Sequence, residues 1–202
     1  MINEKYTAKE ITIFKGVLKL LNEGFNLHTI KASDIADAAN IGKGTLYNYF
    51  KSKEDIIAKA IIYNIATQFN YFVDLLEKAD SFKEKFYIGL QLIEESSKTK
   101  DTTFQLLLSS SGRDELENFL KDGFQIFEDR KLFIKEKILE IAELGYKEEV
   151  IKKINTDNYV LSVFLSCFMG FSQNFCQYSN LSSTEIEEAK ANSYKLLIKG
   201  LN

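Results

Sequence analysis

The chain of 202 residues contains no proline. About ten would be ordinary for this length. Proline is the main helix breaker, so its absence permits long uninterrupted helices and speaks against Pro-rich linkers and turn-rich all-β folds. There is also no run of about eighteen apolar residues, so no membrane span is expected. The opening Met1-Ile-Asn-Glu-Lys-Tyr6 is polar and lacks the apolar centre of a secretion signal. A cytoplasmic chain is the expectation.

Cysteine, histidine and arginine are scarce. Cys167 and Cys176 are too few for a disulfide framework. Nine residues apart on one helix, they would be separated by about 13.5 Å of rise and would face opposite sides. Two thiols in a reducing compartment is the simplest reading. His28 is the single histidine, which disfavours a His-based metal site. No metal or other cofactor is expected. Arg113 and Arg130 are the two arginines, so the basic residues are nearly all lysine. No Ser/His/Asp grouping, paired-cysteine motif or Walker loop is found. Gly42-Lys-Gly-Thr45 is superficially like a phosphate loop, but Asp37 stands where the first glycine of that loop belongs. An enzyme is not expected.

What is present is apolar and charged in proportions that bury a core: 45% hydrophobic and 27% charged residues. The charge is unevenly placed. Residues 1–53 hold eight lysines and five acids, while the remainder is acidic, for a net charge of −3. A basic head on an acidic body suits a protein of which one end meets a polyanion.

The hydrophobic period is helical throughout. Thr7-Ala-Lys-Glu10 is a capping box, followed by Ile11, Phe14, Leu18 and Leu21, with Gly24 as a stop. A short helix is expected over 33–40 and another over 45–50, separated by Ile41-Gly-Lys-Gly44. Ser52-Lys-Glu-Asp55 opens a long helix to about 79, and Ser81-Phe-Lys-Glu84 one to about 97. A short apolar helix follows over 101–111, and a long one over 114–144 stopped by Gly145. Residues 147–154 suit a further helical turn. The last two helices are expected from Thr156 to Tyr178, and from the capping box Ser182-Ser-Thr-Glu185 to Leu201. The expected fold is all-α: three short amino-terminal helices, then about six longer ones.

Helix, short helix, glycine-containing turn, short helix is the helix-turn-helix plan. Leu46 and Phe50 are four apart and would anchor the third helix to Phe14, Leu18 and Ile35. Thr45 and Asn48 would lie on another face, available to base edges in a major groove. Gly42 and Gly44 let the backbone approach phosphate, and Lys43 adds charge there. Lys53 sits in the first turn of the fourth helix, beside a second N-terminus suited to phosphate.

The stretch from Asp34 to Ile56, with its core Lys43-Gly-Thr-Leu-Tyr-x-Tyr-Phe-x-x-Lys53, resembles the signature of the TetR (tetracycline-repressor) family of bacterial regulators. The specific resemblance covers residues of about 9 to 57. It implies a DNA-binding domain over 1–52 and an effector-binding and dimerisation domain over 53–202. It implies base and phosphate contacts at Lys43, Gly44 and Thr45, backbone contacts at Tyr47 and Tyr49, and a phosphate-binding Lys53. Ser33 and Asn48 complete the expected DNA-binding set. Lys31, Asn40 and Gly42 depart from the family pattern, where a Thr or Ser cap, a Gly and a Ser are usual.

In the body, Phe164, Phe168, Phe171 and Phe175 form one stripe at i, i+4, i+7 and i+11. Family members pair through their last two long helices. The resemblance therefore places this stripe, with Leu196 and Leu197, at a homodimer interface. The middle aromatics Phe82, Phe86, Tyr87, Phe104, Phe119, Phe124 and Phe127 could line an apolar cavity with polar groups such as Gln91 or Gln105. They equally suit plain core, so the ligand residues stay unassigned. The sequence thus points to a dimeric transcriptional repressor on a near-palindromic operator of double-stranded DNA, released by a small, largely apolar effector. The alternative is a helical interaction module or ligand sensor that does not bind DNA.

Overall fold

A computed structural model describes residues 6–99, 103, 110–120, 123, 125–177 and 181–202, with backbone only at 110, 111, 113, 176 and 177. Among the described residues the fold is all-α with nine helices. They are α1 (Ala8–Asn22), α2 (Ala32–Ala38), α3 (Lys43–Leu46), α4 (Lys53–Lys78), α5 (Phe82–Lys98), α6 (Ser110–Leu120), α7 (Gln125–Lys147), α8 (Asp157–Gln177) and α9 (Ser183–Leu201). Three lead and six follow, as the periodicity predicts. None of them is long and apolar enough to cross a membrane. Contacts group the chain into two compact units, Met1–Gln68 with Lys100–Phe127, and Phe69–Thr99 with Glu128–Asn202.

The expected starts of α1, α5 and α9 form reciprocal capping boxes. In each, a hydroxyl accepts the N–H three residues on, and the glutamate there accepts the capping N–H. Thr7 N–H donates to Glu10 at 2.7 Å, Ser81 N–H to Glu84 at 3.0 Å and Ser182 N–H to Glu185 at 2.8 Å. Hydrogen bonds from the Ser81 backbone and hydroxyl hold the Glu84 carboxyl below the usual carboxylate range. At α4 the box is half formed. Ser52 Oγ accepts the Asp55 N–H at 3.1 Å, but the Asp55 carboxylate takes the N–H of Lys51.

Gly24 ends α1 as expected. Its φ is +92°, its N–H donates to the Leu21 carbonyl, and the Phe25 N–H donates to that of Leu20. The same motif ends α2 at Asn40, with φ 52°, so the residue that departs from the usual glycine still supplies the left-handed turn.

Three expectations fail in the second half. The helix predicted over 114–144 is two helices, α6 and α7, and α6 begins at Ser110. Gly145 does not stop α7, which continues to Lys147, and Glu149 makes the turn with φ 59°. Gly145 serves packing instead. A Cβ there would lie 2.8 Å from both Phe82 Cδ2 and Ile151 Cδ1. Residues 148–154 form no helix. Most of the helix expected over 101–111 lies outside the described residues, as do Phe104, Gln105, Phe124 and Tyr178.

In the first unit a single core joins Ile13, Phe14, Val17, Leu27, Ile30, Ile35, Leu46, Phe50, Ile57 and Leu116. In the second, α5 packs on α8 and α9. The Phe168 ring stacks on Phe86 at 5.1 Å and occupies the space over Gly89, where a Cβ would meet it at 2.6 Å. Phe164 contacts Phe82 and Phe86 edge-on. The Tyr159 hydroxyl donates to the Gly200 carbonyl at 2.8 Å, fixing α8 against α9.

Candidate nucleic-acid interface

α3 is built as a wedge with one face held down. Leu46 is fully buried and Phe50 nearly so, the Phe50 ring lying 5.6 Å from that of Phe14. Phe14 is held in turn by Tyr6 at 4.8 Å and Tyr63 at 5.4 Å. The opposite face is open: Lys43, Gly44, Asn48, Tyr47 (49% exposed) and Tyr49 (40%) all reach the surface, and Thr45 is half-buried. Tyr47 and Tyr49 are thus open to a partner while Leu46 and Phe50, their chain neighbours, are held in the core.

The local fold differs from expectation at the start of this helix. α3 begins at Lys43, with Gly42 as its N-cap and no capping side chain. Thr45 lies inside the helix, donating its N–H to the Gly42 carbonyl at 2.9 Å, so it does not cap α3. After Leu46 the chain continues in tight turns, with Asn48 N–H donating to Thr45 and Phe50 N–H to Leu46. Ser33 likewise does not cap α2. That helix begins at Ala32 after Lys31, and the Asp34 carboxylate accepts the Lys31 N–H at 2.9 Å. The Ser33 hydroxyl, exposed, donates to the same carboxylate at 3.3 Å.

Lys53 is the first residue of α4, and its ammonium is already engaged. It donates to the His28 carbonyl at 3.2 Å and pairs with Glu54 at 3.4 Å, leaving the side chain 24% exposed. The Glu54 carboxyl is held below its ordinary range by its own backbone N–H and by Lys53. The His28 contact has no sequence signal, because it joins residues 25 positions apart through a carbonyl.

The stripe of α8 is turned into the chain. Phe164 and Phe171 are 1% exposed, and Phe168 and Phe175 are half-buried. Leu197 is fully buried, while Leu196 is 62% exposed. Outward apolar residues of α8 include Leu165 (53%) and Met169 (41%), one position beyond Phe164 and Phe168. A shallow groove of about 350 Å³ runs along α8 and α9, lined by Ser166, Gly170, Asn174, Asn192 and Leu196 among others. Cys167 is buried, and burial pushes its thiol pKa up. Among the described residues no group of three or more His, Cys, Asp or Glu side chains gathers as a metal site. Of the middle aromatics, Phe82 and Phe86 are fully buried core, and Gln91 donates to Glu95 at 2.7 Å.

Residues 23–60 match the family pattern described as "Bacterial regulatory proteins, tetR family". No curated protein matches the chain. Among solved structures, the fatty acid degradation regulator FadR from Bacillus halodurans is similar at a TM-score of 0.67 and 17% identity, over 98% of this chain and 99% of that one. A TetR transcription regulator from Haloarcula marismortui gives 0.68 and 15%, over 98% and 100%. FadR from Bacillus subtilis, solved in complex with stearoyl-CoA, gives 0.60 and 16%, over 95% and 99%. Residues 23–60 thus match the amino-terminal pattern of the TetR family, and the chain has the all-helical fold of these solved regulators.

Proposed function

We propose that the chain is a homodimeric, sequence-specific transcriptional repressor whose residues 1–52 bind an operator and whose residues 53–202 bind an effector and pair the subunits. The observation that carries this reading is the wedge: Lys43 on α3 and Tyr47, Asn48 and Tyr49 in the turns after it stand open, while Leu46 and Phe50 fix the same short segment to the core. A short helix and turn backed by the core, with lysine, tyrosine and amide groups outward, suits a major groove. Lys43, Gly44 and Thr45 read bases or phosphate. Tyr47, Tyr49, Ser33 and Lys53 position the head on the backbone, and Asn48 reads an edge. Lys53 reaches a phosphate by exchanging its His28 carbonyl contact for the anion.

Pairing is assigned to the outward face of α8 and α9. Leu165, Met169 and Leu196 give it apolar centres, while Ser166, Gly170 and Asn192 keep it flat and polar at the edges. A dimer meets two half-sites about 34–36 Å apart on a near-palindromic duplex. The likeness to FadR, one structure of which holds stearoyl-CoA, makes long-chain acyl-CoA the first effector to test. An effector releases DNA only to the extent that it binds one state better than the other.

The test is capture of genomic fragments by the full-length protein, followed by titration of the enriched duplex with and without stearoyl-CoA. Enrichment of a near-palindromic site, and its release by the acyl thioester but not by free CoA, is the expected result. Failure to enrich any duplex overturns the repressor reading in favour of an interaction module. Enrichment without release overturns only the choice of effector.

A further inference from the structure

The turn that joins α3 to α4 is held by two side chains of α4 that the DNA-binding set does not include. The Lys51 N–H, at the end of the turns that carry Tyr47 and Tyr49, donates to Asp55 Oδ2 at 3.2 Å. The Lys59 ammonium, one helical turn further along α4, lies 3.2 Å from Oδ1 of the same carboxylate and donates to Oδ2 at 3.4 Å. That ammonium also stands 5.6 Å from the centre of the Phe50 ring, and the Phe50 ring lies 6.4 Å from that of Tyr49. Asp55 and Lys59 therefore grip the segment Tyr49-Phe50-Lys51 twice, once by its backbone and once by a ring. The start of α4 does not need the Asp55 carboxylate, because the Asp55 N–H is already capped by Ser52 Oγ at 3.1 Å. By charge alone an acid is misplaced here, since it weakens the attraction of a lysine-bearing segment for a polyanion.

We propose that Asp55, steadied by Lys59, is a positioning residue for the DNA contact at Tyr49: its carboxylate fixes the Lys51 N–H, and with it the turn that sets where the Tyr49 hydroxyl meets the DNA backbone. This rests on the DNA-binding reading above. Positioning and plain electrostatics pull in opposite directions at Asp55. Removing a negative charge near DNA tightens binding, whereas releasing the turn weakens it. The sign of the change therefore separates the two.

The experiment is titration of the enriched operator duplex, at one salt concentration, with the full-length natural protein, Asp55→Ala, Asp55→Asn, Tyr49→Phe and the double variant Asp55→Ala with Tyr49→Phe, each first shown to be folded by circular dichroism. Asp55→Ala binds about three- to tenfold weaker, the effect of one hydrogen bond to a charged group. Asp55→Asn keeps an oxygen for the Lys51 N–H and retains most of the affinity. In the Tyr49→Phe background Asp55→Ala gives no further weakening, as expected of two residues that act as one unit. Equal or tighter binding by Asp55→Ala overturns the inference, since only the lost charge is then felt. An undiminished loss in the Tyr49→Phe background overturns it as well, because Asp55 then acts on the fold and not through Tyr49. Amide hydrogen exchange of the natural protein without DNA is a check independent of the variants. The Lys51 N–H is expected to be protected, and exchange at the free-chain rate overturns the inference. Failure of the natural protein to bind any duplex overturns the DNA-binding reading and this inference with it, while Lys51 protection persists, which tells that failure from a failure of the clamp alone.

Discussion

Lys190 of α9 places its ammonium 2.7 Å from the carboxylate of Glu94 on α5, and the two side chains are only 12% and 13% exposed. Glu187 adds a second carboxylate at 2.7 Å from the same ammonium. Burial alone would raise the Glu94 pKa and lower that of Lys190. Hydrogen bonds and charges outweigh it, so the Glu94 carboxyl is held below its usual range and Lys190 above its own. The Glu94 contribution is therefore present above the unfolded carboxylate value of about 4.3 and lost as pH falls through the lowered folded value. That of Lys190 is fully present below about 10.4 and lost as pH rises through its raised value. Lys190→Met is expected to cost about 1–3 kcal/mol at neutral pH. Urea unfolding at pH 7 and at about pH 3 checks this. The difference from the natural protein shrinks at the acid value, and an equal difference at both contradicts the pairing.

The helix ends give a stability series. Asn40 and Glu149 are non-glycine residues in the left-handed region. That conformation costs an L-residue about 1–2 kcal/mol, less for Asn. Glu149→Gly is expected to raise unfolding stability by about 1 kcal/mol, and Asn40→Ala to lower it by a similar amount. Thermal denaturation of both variants checks the signs.

Gly16 sets the spacing of α1 and α2. A Cβ there would lie 3.0 Å from the Ala39 backbone nitrogen and 3.3 Å from the Ala38 carbonyl carbon. Backbone cannot rotate away as a side chain can. Gly16→Val is expected to cost about 1–3 kcal/mol and to weaken operator binding by displacing α2, the support of α3. Denaturant unfolding and duplex titration on one preparation measure both effects.

The outward face of α8 and α9 predicts a subunit interface. Leu165→Glu combined with Leu196→Glu puts two charges into it, and sedimentation analysis is expected to show a monomer that still melts cooperatively. A dimer unchanged in size contradicts the assignment. Leu197→Glu is no substitute, because Leu197 is core.

The helical plan was legible because its signals are local. A hydroxyl three residues before a glutamate announced α1, α5 and α9, and apolar spacing announced Leu46 and Phe50 as anchors. Gly145 misled, because a glycine between a ring and an isoleucine looks in sequence like a glycine at a helix end. The stripe from Phe164 to Phe175 told which residues share a face, but not that the face is covered by the chain itself. That depends on α5, whose Phe82 and Phe86 lie some eighty positions earlier. The contacts of His28 with Glu115 and Lys53 were likewise invisible, since a surface contact between residues distant in the chain and a carbonyl contact leave no spacing to read.

Whether the α3 wedge reads double-stranded DNA is decided by duplex affinity measured against salt for the natural protein, Lys53→Ala and Thr45→Val. Log affinity should fall linearly with log salt, by about 0.9 per phosphate contacted. Lys53→Ala should weaken all duplexes alike and reduce that slope by about one, and Thr45→Val should alter sequence preference. Affinity indifferent to salt and to both substitutions would contradict it.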